Sequence, residues 1–242
     1  MSFSERVRSA FRRGETDAVV RMSEAEIERA QAAGDLAGEV EARYSLARVA
    51  IRGGDLRGGQ ARALEALEVA LRSGDRGLEE RPRHVLAGVA RMSGDLLRAR
   101  DLYRESIALN EELGRPEMVN SEYHNLAFCE LGLGNLDVAR ELFAENRERV
   151  FGNGWADFVP YVCVAGAALA SAEGDHARAA RMIGVTDAAF AAIGQVPDPD
   201  DAADLAKMRA AALGSLGPSA FDEEYARGRL LQPREAFGDE RR

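Results

Sequence analysis

The chain has 242 residues, enough for one or two globular domains or one repeat array, with 46% hydrophobic residues but only 6% aromatics. A net charge of −9 argues against a general phosphate-backbone binder, which carries a basic face, and two cysteines make no disulfide framework. The start of the chain lacks the apolar stretch of a secretory signal. The most apolar run, Phe158 to Ala172, is interrupted by Pro160 and too short for a membrane span. A cytoplasmic protein without direct nucleic-acid or membrane contact is the expectation, with an alanine-rich core that suits close-packed helices.

Residues 2–13 read as a short helix with Phe3, Val7 and Phe11 on one face, broken by Gly14; residues 15–33 read as a second helix, closed by Gly34-Asp35. Together, 1–37 form a degenerate N-terminal helical repeat. Residues 38–193 then divide into four two-helix units. Their helices are expected near 38–52 and 56–72, 77–92 and 96–112, 117–132 and 136–150, and 155–172 and 176–192. The marker is a glycine within each unit, Gly54, Gly94, Gly134 and Gly174, spaced by 40 residues and followed by Asp or Asn. A second ladder, Gly34, Gly74, Gly114, Gly154 and Gly194, lies halfway between.

Counting from the intra-unit glycine exposes fixed columns. Seven residues before it stand Ala47, Ala87, Ala127 and Ala167; eight before stand Leu46, Leu86, Leu126 and Gly166. Five after stand Gly59, Ala99, Ala139 and Ala179; nine after stand Ala63, Tyr103, Phe143 and Ile183. Small residues let two helix backbones approach, and the larger one fills the gap between units. One hairpin cannot bury its apolar face alone, so neighbours must stack. Beyond Gly194, residues 194–242 read as C-terminal capping helices and a polar tail. A Pro-Asp-Pro linker (197–199) leads to a helix capped by Asp200 or Asp201 and running to Leu213. A turn over Gly214–Pro218 follows, then a last helix from about Ser219 to Leu231, with the polar tail after Pro233.

The Leu-Ala pair, the Gly-Asp/Asn-Leu turn, and the following alanine and aromatic resemble tetratricopeptide repeats over roughly residues 38–193. The period of 40 exceeds the usual 34, so this is similar to the longer-helix variants. The resemblance implies an all-α fold: a right-handed α-solenoid of stacked antiparallel helix hairpins with C-terminal capping helices. Residues 177–184 (Ala-Arg-Ala-Ala-Arg-Met-Ile-Gly), the Pro-Asp-Pro linker, Leu213-Gly214 and Phe221–Gly228 resemble the end-piece that follows the helical repeats of large actinobacterial ATP-dependent transcriptional regulators of the LuxR type. No Gly-x-x-x-x-Gly-Lys-Ser/Thr loop and no helix-turn-helix reader stand in this chain, so neither ATP hydrolysis nor DNA binding is implied.

Catalytic patterns are absent: there is no Gly-x-Ser-x-Gly and no His-Glu-x-x-His. His84 and His124 occupy equivalent places ten before their glycines, but no carboxylate or cysteine recurs beside them at ligand spacing, so groove-wall positions are expected rather than a metal centre. Cys129 and Cys163 read as buried thiols. No enzyme activity and no cofactor are expected. The remaining site is the groove lined by the first helices: Tyr44, Arg48, Arg52, Arg81, His84, Arg91, His124, Phe128, Leu131 and Tyr161. Its N-terminal half carries arginines, which suit carboxylates bidentately; its C-terminal half is aromatic and apolar. The expected function is a regulatory protein–protein interaction module binding a peptide or partner helix, with an acidic or carboxylate end by the arginines. The alternative is a ligand-sensing repeat domain, related to the ATP-dependent regulators, binding a small molecule. Terminal units of such arrays can stack on each other, so a homo-oligomer is also open.

Overall fold

A computed structural model describes residues 1–238. The described chain is all-α, thirteen helices without a strand: α1 (Phe3–Arg12), α2 (Thr16–Ala33), α3 (Leu36–Arg52), α4 (Leu56–Ser73), α5 (Glu80–Met92), α6 (Leu96–Glu112), α7 (Pro116–Gly132), α8 (Leu136–Asn153), α9 (Val159–Ala172), α10 (His176–Ala192), α11 (Pro199–Leu216), α12 (Pro218–Gly228) and α13 (Pro233–Ala236). Within each unit, consecutive helices pair as hairpins that stack on their neighbours, the local arrangement of an α-solenoid. The chain forms two compact units, Met1–Cys129 and Glu130 onward. In the first, α1, α3 and α5 pack in succession, each with its own second helix; in the second, α9 and α10 form a hairpin that α11 and α12 cover.

The turns explain the glycine ladders. Gly14, Gly34 and every twentieth residue up to Gly194 take φ between 63° and 85°. At Gly54 the glycine amide donates to the Ile51 carbonyl and the Asp55 amide to the Ala50 carbonyl, both at 2.9 Å. This is a Schellman closure, which satisfies the last carbonyls of the first helix. Asp55 also starts the next helix, because its side chain accepts the Gly58 amide and so caps α4. Asp35, Asp95 and Asp175 cap α3, α6 and α10 in the same way. At Asn135 the side chain instead donates to Glu130 at 2.7 Å. One residue pair thus ends one helix and starts the next, leaving only two or three residues between them.

The sequence columns are the core. Ala47, Ala87, Ala127 and Ala167 are fully buried, as are Ala99, Ala139 and Ala179, and Ala63, Tyr103, Phe143 and Ile183. The first hairpin keeps the same register about Gly14: Val7, Val19 and Ser23 occupy these columns and are buried too. The N-terminal repeat differs in residue type, not in packing.

Several boundaries differ from the sequence expectation; among them, α8 runs three residues further than expected, to Asn153, and α12 stops at Gly228 rather than Leu231. The helices expected from 77 and 155 begin at Glu80 and Val159, each preceded by a single 3₁₀ turn, Arg76–Leu78 and Ala156–Phe158. Pro82 and Pro160 are the reason: a proline ring collides with the carbonyl four residues back, so each α-helix must start within a turn of it. The helix α11 begins at Pro199 with Asp198 as N-cap, not Asp200 or Asp201, and runs through Gly214 to Leu216. The turn narrows to Gly217, φ 76°, ahead of Pro218. Part of the expected polar tail is helical: Pro233–Ala236 forms one turn, and Phe237 is half-buried. The rest of that tail, residues 239–242, lies outside the described residues.

Candidate functional site

The first-helix face of the Met1–Cys129 unit is a layered array of arginines and aromatic rings. The guanidiniums of Arg48 and Arg52 each lie 3.7 Å from the Phe11 ring centre, and Arg52 donates to the Phe11 carbonyl at 2.6 Å. Arg48 and Arg81 each lie 5.5 Å from the Tyr44 ring. Arg81 also forms an ion pair with Glu41, to which Ser4 donates at 3.2 Å. At the other end Arg91, 7% exposed, lies 4.8 Å from the ring of buried Phe128. Such stacking lets an arginine stay charged while its flat face is covered by a ring.

Electrostatics single out the middle of this face. Burial and the nearby Arg81 charge hold the Arg8 guanidinium below its ordinary pKa, partly offset by Glu41. Burial pushes the Tyr44 hydroxyl up, opposed by Arg48 and Arg81. Burial works against Arg81 as well, but Tyr44, Glu41 and Glu80 outweigh it, so its pKa is raised. Arg8, Arg48 and Arg81 thus gather about Tyr44, and Arg8 and Arg81, from the first and third of three successive first helices, also interact with Glu41.

Beside this lies a buried polar network. Glu122, 1% exposed, accepts from Ser106 Oγ at 2.7 Å and lies 3.0 Å from His84 Nδ1. Burial pushes the Glu80 carboxyl up, with His84 opposing and Glu122 adding to it. The His84 ring stands 6.4 Å from that of Tyr103, and His124 stacks edge-on against Phe128 at 5.0 Å. The two equivalent histidines therefore meet different partners, and no group of three His, Cys, Asp or Glu side chains that could hold a metal occurs among the described residues. In Ser106–Glu122–His84 the carboxylate stands between the hydroxyl and the imidazole. A serine nucleophile needs the imidazole in the middle, so this order does not suit a histidine acting as the serine's base. Cys129 and Cys163 are buried and form no disulfide; burial pushes the Cys163 thiol up to about 12, which leaves it unreactive.

The expected groove residues thus divide. Tyr44, Arg48, Arg52, Arg81 and His84 are partly exposed on α3 and α5, whereas Arg91, His124 and Phe128 are interior. In the Glu130 unit Leu131 and Tyr161 are half-buried; the Tyr161 ring meets Phe190 at 5.2 Å and its hydroxyl donates to Asp198 at 3.4 Å. Arg8, Phe11 and the central role of Glu41 escape the sequence expectation. The signal was present: counted from Gly14, Arg8 and Phe11 stand six and three residues before, in the same columns as Arg48 and Arg91.

No helix among the described residues is long and apolar enough to cross a membrane. No family model and no curated protein matches the chain. Among solved structures, the crystal structure of BtubC (BKLC) from P. vanneervenii is similar in fold, with a TM-score of 0.55 and 20% identity, over 100% of this chain and 95% of that one. At that identity the likeness concerns the helical-repeat fold alone.

Proposed function

We propose that this chain is a non-enzymatic, regulatory protein-interaction module of the tetratricopeptide kind. It binds the carboxylate end or an acidic segment of a peptide or partner helix on the first-helix face of the Met1–Cys129 unit. The observation that carries this reading is the gathering of Arg8, Arg48 and Arg81 about Tyr44, with Arg81 paired to Glu41. Glu41 is an internal stand-in for the ligand carboxylate, and a bidentate arginine–carboxylate pair in a half-buried place is stronger than an exposed one.

The test is calorimetric titration of the full chain with acidic peptides bearing a C-terminal carboxylate or a C-terminal amide. Arg48→Glu combined with Arg81→Glu is expected to weaken binding at least tenfold while leaving the helical signal intact. Equal affinity of wild type and double variant sinks the arginine site. Saturation by a small dicarboxylate with no response to any peptide favours the small-molecule alternative. Arg91 is unsuitable for this test, because it is buried against Phe128.

A further inference from the structure

The leucine column of the repeat fails once. Leu46, Leu86 and Leu126 stand eight residues before their turn glycines, but Gly166 holds that place on α9. The space it leaves is filled from outside the repeat. A Cβ on Gly166 would stand 2.8 Å from Cε1 of Phe237 and 2.7 Å from Cε of Met182. The Phe237 ring therefore takes the place of the missing leucine. It meets the Phe151 ring of α8 edge-on at 6.3 Å, and the Arg147 guanidinium lies 5.1 Å from it. Three residues before Phe237, Arg234 donates to the Phe151 carbonyl at 2.8 Å and lies 4.5 Å from the Phe151 ring.

The socket thus reads two side chains, an arginine and a phenylalanine three residues later, presented on one helical turn that starts at Pro233. The resident segment is lightly held. No residue of Pro233–Ala236 is buried, and the tether from α12 includes Leu230, which is 85% exposed. A short tether keeps the segment at high effective concentration, so occupation within the chain does not require tight intrinsic binding, and a ligand in solution can compete for the place.

We propose that this socket on α8, α9 and α10 is a second peptide-docking site. It takes an Arg-x-x-Phe segment of a partner protein, and the chain's own Arg234–Phe237 is the resident competitor. The site uses none of the residues of the arginine face and stands or falls independently of it.

The probe is a fluorescein-labelled peptide of sequence Leu-Gln-Pro-Arg-Glu-Ala-Phe-Gly, titrated into the full chain and followed by anisotropy. The Phe237→Ala variant, with its socket open, is expected to bind saturably, and wild type at least tenfold more weakly. Replacing the peptide's phenylalanine by alanine, or adding Gly166→Leu to the variant, is expected to abolish binding. No saturable binding to Phe237→Ala, or equal affinity for wild type and variant, overturns the proposal. Should that variant lose its helical signal, hydrogen exchange on wild type decides. Excess mass-labelled peptide must then raise deuterium uptake over residues 233–238, and unchanged uptake refutes the idea. Dimerisation of wild type that Phe237→Ala removes would assign the socket to a second copy of the chain and overturn the partner reading.

Discussion

Replacing Gly184 by alanine sets two effects against each other. In a helix interior alanine is favoured over glycine by about 0.5–1 kcal/mol, because the unfolded chain loses less freedom. But α10 crosses α12 at this point with almost no space between backbones. A Cβ on Gly184 would overlap the Tyr225 carbonyl oxygen and stand 3.1 Å from the Arg229 nitrogen. The reciprocal glycine is Gly228, whose Cβ would overlap the Arg181 carbonyl oxygen and stand 2.8 Å from its carbon. Ordinary carbon contacts lie near 3.5–4.0 Å, so α12 must retreat by roughly 1 Å, which forfeits a quarter to a half of the dispersion energy across the crossing. The retreat also strains polar contacts that brace it: Arg181 to Glu224 at 2.8 Å and Tyr225 to Asp187 at 2.8 Å. Overpacking of this kind costs about 1–3 kcal/mol, so the clash wins and Gly184→Ala destabilises by about 2 kcal/mol. One displacement relieves both clashes, so Gly184→Ala with Gly228→Ala costs less than the sum of the two. Gly214, in the exposed part of α11 with nothing near its Cβ position, is the control. There the same change stabilises by about 0.5–1 kcal/mol. Urea unfolding of the four variants measures all of this. A Gly184→Ala chain as stable as wild type, or a strictly additive pair, refutes the reasoning.

The turn chemistry makes a second prediction. Gly54→Ala forces a side chain into φ 83° and is expected to cost about 1–2 kcal/mol, while Asp55→Ala removes the acceptor of the Gly58 amide at about 1 kcal/mol; urea midpoints report both. Arg91→Glu sets a carboxylate against the Phe128 ring in a buried position, and a loss of about 3 kcal/mol or more is expected in thermal melts. Glu80 has a folded pKa above its reference value of 4.5, so its penalty is present at neutral pH and is relieved as pH falls through the raised value toward 4.5. The stability advantage of Glu80→Gln over wild type should therefore shrink across that fall. An advantage independent of pH would show that burial does not raise the Glu80 pKa.

Sequence alone determined the repeat helices and the turns that join them, though not the short helix at Pro233–Ala236. Gly-Asp pairs close one helix and cap the next through bonds among residues at most five apart, so the instruction is local and repeats visibly. Alanine and leucine columns at a fixed distance from each glycine likewise declare which face is buried, because helix geometry carries that distance without knowledge of the neighbours. Even Arg8 and Phe11 were within reach, once Gly14 is counted as the first rung of the ladder.

What only the tertiary structure decided is which side chain meets which. Arg48 and Arg91 look alike in sequence, yet one is half-exposed between Phe11 and Tyr44 and the other is buried on Phe128. Phe11 and Phe128 come from neighbouring first helices some 40 residues away, where register along the chain does not fix rotamer or depth. Gly166 reads as a lapse in the repeat until Phe237, from outside it, fills the space. Gly184 and Gly228 read as fragments of an end-piece, with no sign that they face each other. Backbone closure is a short-range property and is written in adjacent residues. Side-chain burial and charge pairing are set by atoms that only the folded chain brings together.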